Sequence, residues 1–410
     1  MSWRVYIGDT MTGLLAQEIG VPAFSWTVTV SDATFRSERD KGVGEDSSGG
    51  LTLPWTEVPA GSPIERSTAL MPLKRSLTLC WIGRDGAPMP VVWGAVGDRT
   101  DTWEDASFDL LSPMEILASR FAVREGAFGA VSGMTEPDEE DGDPQPGTFT
   151  SDTIFYQGMS LRGIACEVGA LCTGAKPGGQ LPIDWQYLGE KGTHQRTYDG
   201  FDLGNNSCAD ILEKIANVSD GPDMQFRPYL LDEGHVRLLF TAGNDGDLHL
   251  GQSTVHSLSW FPGGGSIQDL SVDFSYPAER VYATGAGTDE AQLCHLSEDL
   301  SNVRMADPWP LVEEHFNDGD IDNGSLLERH ADAELSACSS QTFQVKGYVD
   351  FADRDVPEPG TIWPGELMDV WIQGFPTLPD GTYRLRLMEM SGDQTSRAKL
   401  VFRDEAVTWG

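Results

Sequence analysis

The stretch "SDGPDMQFRPYLLDEGHVRLLF", residues 219–240, holds two apolar runs separated by Asp232-Glu233-Gly234. A turn-forming tripeptide between two such runs predicts a hairpin, with "MQFRPYLL" and "HVRLLF" as its strands. Just upstream, "NNSCADILEKIANV" sets Ile211, Leu212, Ile215 and Val218 at helical spacing after Ser207, which suits an N-cap. The unit reads helix, turn, strand, turn, strand. Asp220 and Asp223 flank the Gly-Pro turn that ends the helix, Asp232 and Glu233 make the hairpin turn, and His235 begins the returning strand. Carboxylates and a histidine crowd this stretch as they would an active site, yet each stands where a turn already calls for it.

A second helix of the same kind lies upstream. In "MSLRGIACEVGALC", Leu161, Ile164, Val168 and Leu171 share one face, and Ser160 can cap the start. Residues 151–262 therefore form an α/β domain, closed by "WFPGGGS", whose three glycines predict a hinge or a sharp chain reversal. Residues 126–150 precede it as an acidic, proline-rich linker, with "TEPDEEDGDPQPGTF" (135–149) read as a solvated loop or excursion.

Residues 1–125 carry short strand patterns. "WTVTV" (26–30) and "SLTLCWIG" (76–83) alternate, and "PVVWGAV" (90–96) is a buried run. An N-terminal β-barrel or sandwich is the natural closure, interrupted by the polar, glycine-rich loop "SERDKGVGEDSSGG" (37–50). The region ends in "SPMEILASRF", where Ser112, Pro113 and Glu115 have the spacing of a capping box with proline in the first turn.

Residues 263–338 read as a second α/β module: the strands "SIQDLSVDFS" and "RVYATGAG", then the helix "SLLERHADAELSAC". Ser325 and Glu328 suggest its capping box, with Leu327, Ala331, Leu335 and Cys338 on one face. Residues 339–410 are strands only and form a C-terminal β-barrel, with hairpin turns expected at Asp380-Gly381 and Gly392-Asp393. The fold class is mixed β and α+β, with two small β-barrel domains and two α/β insert modules.

The totals agree with this class and exclude others. At 410 residues, 39% apolar with 12 Trp, the chain has ample material for real cores; 46 Gly and 24 Pro favour short strands over long helices. A net charge of −36, from 28 basic and 64 acidic residues, argues against a nucleic-acid-binding surface, which needs clustered Lys and Arg to neutralise phosphate. Charge alone names no partner. The start, "MSWRVYIGDTMTGLLAQEIG", lacks a basic region followed by an apolar one, and no apolar run approaches the roughly 20 residues of a membrane span. Synthesis and folding in the cytoplasm are expected, without membrane insertion.

No motif commits the chain to catalysis. H-E-x-x-H, G-x-S-x-G, a P-loop and G-x-G-x-x-G are all missing, and "TGAGTD" (284–289) offers a lone G-x-G better read as a turn. "NDGDIDNGS" (317–325) alternates Asp318, Asp320 and Asp322 like the front of a calcium loop. Its sixth position is Asn323 rather than Gly, and its twelfth is Arg329 where a bidentate Glu is needed. The cysteines, at 80, 166, 172, 208, 294 and 338, make no C-x-x-C, and most are expected reduced and buried. Cys208 at a helix start could be imagined as a nucleophile, but no local signature supports it. The histidines, at 194, 235, 249, 256, 295, 315 and 330, are dispersed. With 64 acidic residues, any one glycosidase-like carboxylate pair carries almost no information. Several of the tryptophans stand inside strand patterns and suit a core better than a sugar groove. No catalytic, cofactor-binding or metal residue is assigned, and no cofactor.

The order of segments carries more than any motif. "ILASRF", "MSLRGIACEVG", "KPGGQLPI" with "GTHQRTYDGFDL" (192–203), "ADILEKIANVSDGPDMQFRP", "ERVYATGAG", "LLERHADAEL" and "LPDGTYRLRLMEMSGD" follow one another from about 115 to 393. As a set they resemble the minor tail proteins of long-tailed phages of actinobacteria, in particular their baseplate hub proteins, also described as tail-associated-lysin-like. The resemblance implies a structural virion protein at the tail tip: a homotrimer between the sixfold tail tube with its distal tail protein and the host-contacting components. The tape measure protein and other tail-tip or receptor-binding proteins would be partners, and DNA would pass through the lumen without specific binding. Many such proteins carry a lytic domain downstream; here the sequence stops at Gly410, so an enzymatic role is not expected. The alternatives are a distal tail or receptor-binding subunit and, further off, a cell-wall-degrading glycosidase or peptidase.

Overall fold

The computed structural model describes residues 1–37, 50–135, 144–218, 221–288, 291–319, 321–339 and 343–404. The chain opens with the hairpin β1 (Ser2–Asp9) and β2 (Leu15–Ile19), then a second hairpin, β3 (Phe24–Thr29) and β4 (Ala33–Ser37). There follow β5 (Leu51–Pro54), α1 (Pro63–Ala69), β6 (Arg75–Ile82), β7 (Pro88–Asp101), β8 (Asp105–Leu111) and α2 (Pro113–Ala118). A small arm pairs β9 (Val131–Met134) with β10 (Pro146–Phe149). Next come β11 (Thr153–Met159), α3 (Leu161–Thr173), β12 (Ile183–Trp185), β13 (His194–Asp199), α4 (Cys208–Ala216), β14 (Met224–Asp232) and β15 (His235–Ala242). Then β16 (His256–Phe261), β17 (Gly264–Gly265), β18 (Gln268–Phe274), β19 (Arg280–Thr284), β20 (Cys294–Glu298), β21 (Glu313–Asn317) and α5 (Gly324–Cys338) lead to β22 (Phe343–Asp350), β23 (Leu367–Ile372), β24 (Gly381–Asp393) and β25 (Arg397–Asp404). The class is mixed β and α+β. No helix among the described residues is long and apolar enough to cross a membrane.

The first sheet runs β2-β1-β6-β7-β8-β5 and the largest runs β17-β16-β23-β24-β25-β22-β18. Neither ladder closes on itself among the described residues. Strand pairing also crosses the expected module boundaries. The β3–β4 hairpin leaves the first sheet and adds to β24, with Trp26 opposite Gly392 and Thr29 opposite Glu389, while β16 to β18 join the same large sheet. The reason is physical: the alternation of "WTVTV" dictates which side chains are buried, not which strand supplies the hydrogen bonds. The triple glycine makes the tight reversal between β16 and β17, with Phe261 opposite Gly264.

One core serves both sheets. Trp3, Trp26, Trp81 and Phe351 cluster, with Trp3 5.0 Å from both Trp26 and Trp81 and Trp81 5.9 Å from Phe351 between ring centroids. Trp3 Nε1 donates to the Thr395 carbonyl at 2.8 Å and Trp26 Nε1 to that of Asp393 at 3.2 Å, so the half-buried and the buried indole tie the first strands to the last hairpin. The last hairpin turn is made by residues 394–396, just beyond the expected Gly392-Asp393, with Asp393 Oδ1 accepting from Thr395 N at 2.7 Å. The turn placed at Asp380-Gly381 is instead an eight-residue connection, 373–380, closed by Gly374 N donating to Asp380 Oδ1.

A second core lies under α2, α3 and α4 on the sheet β12-β15-β14. All three helices start as the sequence predicts. Ser112 and Glu115 form the capping box, Ser160 accepts from Gly163 N, and Ser207 accepts from Asp210 N. Gly169 is required by packing: a Cβ there would stand 2.2 Å from the Trp185 indole. The third unit is the sheet β20-β19-β21 under α5, a small core of Ala283, Ile321, Leu327 and Ala331. Its cap differs from the expected Ser325. Asn323 is the N-cap, its Oδ1 accepting from Ser325 N at 2.9 Å and Leu326 N at 3.3 Å, because Gly324 and Ser325 already have helical geometry.

Candidate functional site

The hairpin of residues 224–240 forms as predicted, and its charges are turn chemistry. Asp232 accepts from Gly234 N at 2.8 Å and lies 2.9 Å from His235 Nδ1; the Gly234 N–H, then His235, hold its carboxyl below the usual range. Asp223 Oδ2 lies 3.0 Å from His249 Nδ1. Asp220 is outside the described residues, as are Asp320 and most of the 37–50 loop and the acidic part of 135–149.

The remaining candidates do not converge. In the calcium-like stretch Asn323 is committed to capping α5, and no group of three metal-ligating side chains occurs among the described residues. Cys208 does begin a helix, but its thiol is fully buried; hydrogen bonding with Cys172 and then burial push it well up, away from a thiolate. Cys80, Cys166, Cys172 and Cys208 are buried and free, Cys338 is half-buried and Cys294 is exposed. Cys294 and His315 lie in strands on opposite sides of β19; His315 Nε2 meets Thr284 Oγ1 at 3.1 Å, and the Cys294 thiol donates to the Gln292 carbonyl at 3.6 Å. Gly285 and Gly287 form the turn after β19, with Gly285 N bonded to the Leu293 carbonyl.

The structurally demanding polar residues of the hairpin are ones the sequence reading passed over. Arg227 Nη1 donates to Glu366 Oε1 at 2.6 Å, and Arg227 Nε to Gln225 Oε1 at 2.6 Å. Gln225 Nε2 donates to the Thr29 carbonyl at 3.0 Å, and Glu366 Oε2 accepts from Trp363 N at 3.1 Å. The guanidinium also lies over the Trp363 ring, 5.7 Å from its centroid. Gln225 and Glu366 are both over 90% buried. Burial pulls the Arg227 guanidinium below its ordinary value and Glu366 pushes it back. This strut joins three segments: the β14 hairpin, the β3–β4 turn and the large sheet before β23. Beta periodicity gave one hint, since Gln225 and Arg227 interrupt an otherwise apolar strand. A cleft of about 760 Å3 lies beside this junction, between the β3–β4 hairpin, the end of β8 and α4.

No family model matches the chain, and no curated protein matches it in sequence. Among solved structures it is similar to the tail protein from Neisseria meningitidis, at 13% identity over 99% of this chain and 97% of that one, with a TM-score of 0.47. It is similar to the 43 kDa tail protein of prophage MuSo2 from Shewanella oneidensis, at 11% identity over 98% of each chain, with a TM-score of 0.49. A prophage tail protein from Listeria monocytogenes shares 9% identity over 98% of this chain and 94% of that one, with a TM-score of 0.41.

Proposed function

We propose that the chain is a non-enzymatic structural protein of a long-tailed phage, the baseplate hub at the tail tip. In this reading a homotrimer joins the sixfold tail tube and distal tail protein to the threefold tip and forms part of the DNA conduit. The observation that carries it is the pair of open sheets built on one core within a single chain, β2 to β5 and β17 to β18. Three copies present six such sheets, which is how a threefold ring can meet a sixfold tube through quasi-equivalent contacts. The ordered set of segments from about 115 to 393 supplies the resemblance to actinobacterial phage hubs. A net charge of −36 suits a lumen that repels the DNA backbone. Sedimentation of the purified chain and imaging of virions test the reading: an assembly of three chains placed on the tail axis is expected, and a stable monomer absent from particles would overturn it.

A second reading, a distal tail or receptor-binding subunit, has one observation of its own. Trp103 is 95% exposed at the β7–β8 turn, which is held by Trp55 Nε1 donating to the Thr102 carbonyl at 3.0 Å. A rigidly presented aromatic is a ready anchor for a partner. Binding of host cell-wall glycan that Trp103→Ala abolishes would favour this reading; a hub should show no sugar affinity.

A further inference from the structure

We infer that the cleft beside the strut is a docking slot for an extended, basic peptide segment of another protein, added as a strand along β4. The inference goes beyond the tail reading and does not depend on it. The wall of the cleft contains the unbroken run 30–36, and its opposite side the run 109–112. Successive residues of a strand point to opposite faces, so consecutive residues line one cleft only when the cleft runs along the strand's edge. Among the described residues β4 pairs as a strand only with β3, its outer edge being taken at Ser37, whose N–H donates to the Gly50 carbonyl at 3.2 Å, and β8 pairs with β5 from Asp105 to Phe108, leaving its 109–111 end bonded to β7 alone. Of this run Ala33–Arg36 belong to β4 and offer an edge of about 13 Å, enough for a short strand, while 30–32 are the turn that leads into it.

The lining dictates the chemistry of the occupant. The floor is apolar, with Phe35, Leu212 and Phe240 buried and Leu110, Met114 and Phe226 half-buried. Around them stand five carboxylates, Asp32, Asp109, Glu115, Glu213 and Asp223, against one cation, Arg36. A segment alternating apolar and cationic residues would put one face on the floor and the other at this rim. A second copy of this chain is a poor occupant, because Trp103, the most exposed aromatic among the described residues, sits among Asp101, Glu104 and Asp105 and would bring like charges together. The cleft also shares Ser31, Asp32, Ala33, Ser112, Met114 and Phe226 with a small inner cavity of about 30 Å3 lined by Trp93. Trp93 is 3% exposed and its Nε1 has no hydrogen-bond partner among the described residues, so a donor waits at the inner end for an acceptor brought by the ligand.

The test uses the full chain and a capped, fluorescein-labelled Lys-Val-Lys-Val-Lys-Val peptide, read by anisotropy and by amide hydrogen exchange. Saturable binding is expected, with added protection of residues 33–37 and no binding of the Glu-Val counterpart. Asp32→Lys with Asp109→Lys should weaken binding at least tenfold, whereas the same charge change away from the cleft, Glu125→Lys with Glu328→Lys, should change it less than threefold. Ala216→Trp, which fills the cleft without altering charge, should also weaken it at least tenfold and guards against misfolding of the charge variant. Absence of saturable binding, equal losses in the cleft and distant charge variants, full affinity in Ala216→Trp, or binding without protection of 33–37 would each overturn the proposal.

Discussion

Arg227 and Glu366, 139 residues apart in the chain, meet as a 2.6 Å ion pair whose side chains are only 13% and 11% exposed. Nothing local in either segment requires the other. The pair forms because the β14 hairpin packs against the large sheet just where Trp363 and Gly365 turn into β23; Gln225 and Trp363 N add hydrogen bonds, and Arg227 Nη2 stays buried without a partner among the described residues. A buried pair of this kind contributes little net stability when intact but penalises any arrangement that separates its members. It therefore acts chiefly to hold the hairpin, the β3–β4 turn and the large sheet in one relation.

Arg227→Ala is expected to lower stability by about 3–5 kcal/mol, because it leaves the Glu366 carboxylate buried beside an emptied site. Arg227→Met combined with Glu366→Gln should cost less than the sum of the single changes, with a coupling of about 1–3 kcal/mol in urea unfolding. Strict additivity would mean that the two residues do not act as a pair.

Packing at Gly169 leads to the opposite kind of experiment. Gly169→Val drives a side chain into the Trp185 ring, which is itself wedged against Phe226 and Phe240. Overpacking should cost about 1–3 kcal/mol. Trp185→Leu in the same chain should recover part of the loss in thermal unfolding, while Trp185→Leu alone destabilises.

Acid sensitivity follows from the joint between α3 and the loop before β13. Arg162 holds Glu190 by Nε at 2.6 Å and Nη2 at 2.7 Å, and Ser160 Oγ adds a third bond at 2.8 Å. The Arg162 hydrogen bonds hold the Glu190 carboxyl below its ordinary value. A carboxylate depressed on folding contributes its stability above the unfolded value, about 4.3, and loses it as pH falls through the folded value. Glu190→Gln should therefore cost about 1 kcal/mol at pH 7, the partial exposure keeping it small, with the difference from the parent chain shrinking below about pH 4. A difference constant from pH 7 to pH 3 would remove the ion pair as its cause.

How much of this was legible follows from what each residue depends on. Caps and helix faces are local, so Ser112, Ser160 and Ser207 stood out by spacing alone, as did the Asp232-Glu233-Gly234 turn. Partner strands are not local. Trp26 reads the same whether β3 pairs within the first sheet or, as it does, with β24, and no pattern near residue 26 refers to Gly392. The strut was hidden for a related reason. Gln225 and Arg227 look like polar residues on the outer side of a half-buried strand, and only the large sheet, laid over that side, turns them into buried groups. The cleft is less legible still, since its walls come from residues near 30, 110, 215 and 224.

The start of α5 distinguishes a sequence expectation from the structure most directly. The Ser325-x-x-Glu328 spacing matches a capping box, yet Asn323 Oδ1 receives the orphan N–H groups of Ser325 and Leu326, and Ser325 Oγ donates to the same oxygen at 2.7 Å. Asn323→Ala should then cost about 1 kcal/mol and speed amide exchange in the first turn of the helix, while Asn323→Asp, an equally good cap with favourable charge at that end, should cost little or nothing. Ser325→Ala loses one exposed hydroxyl bond and should stay within about 0.5 kcal/mol of the parent. The reverse order, with Ser325→Ala the more damaging change, would return the cap to Ser325 and shift the helix start by two residues.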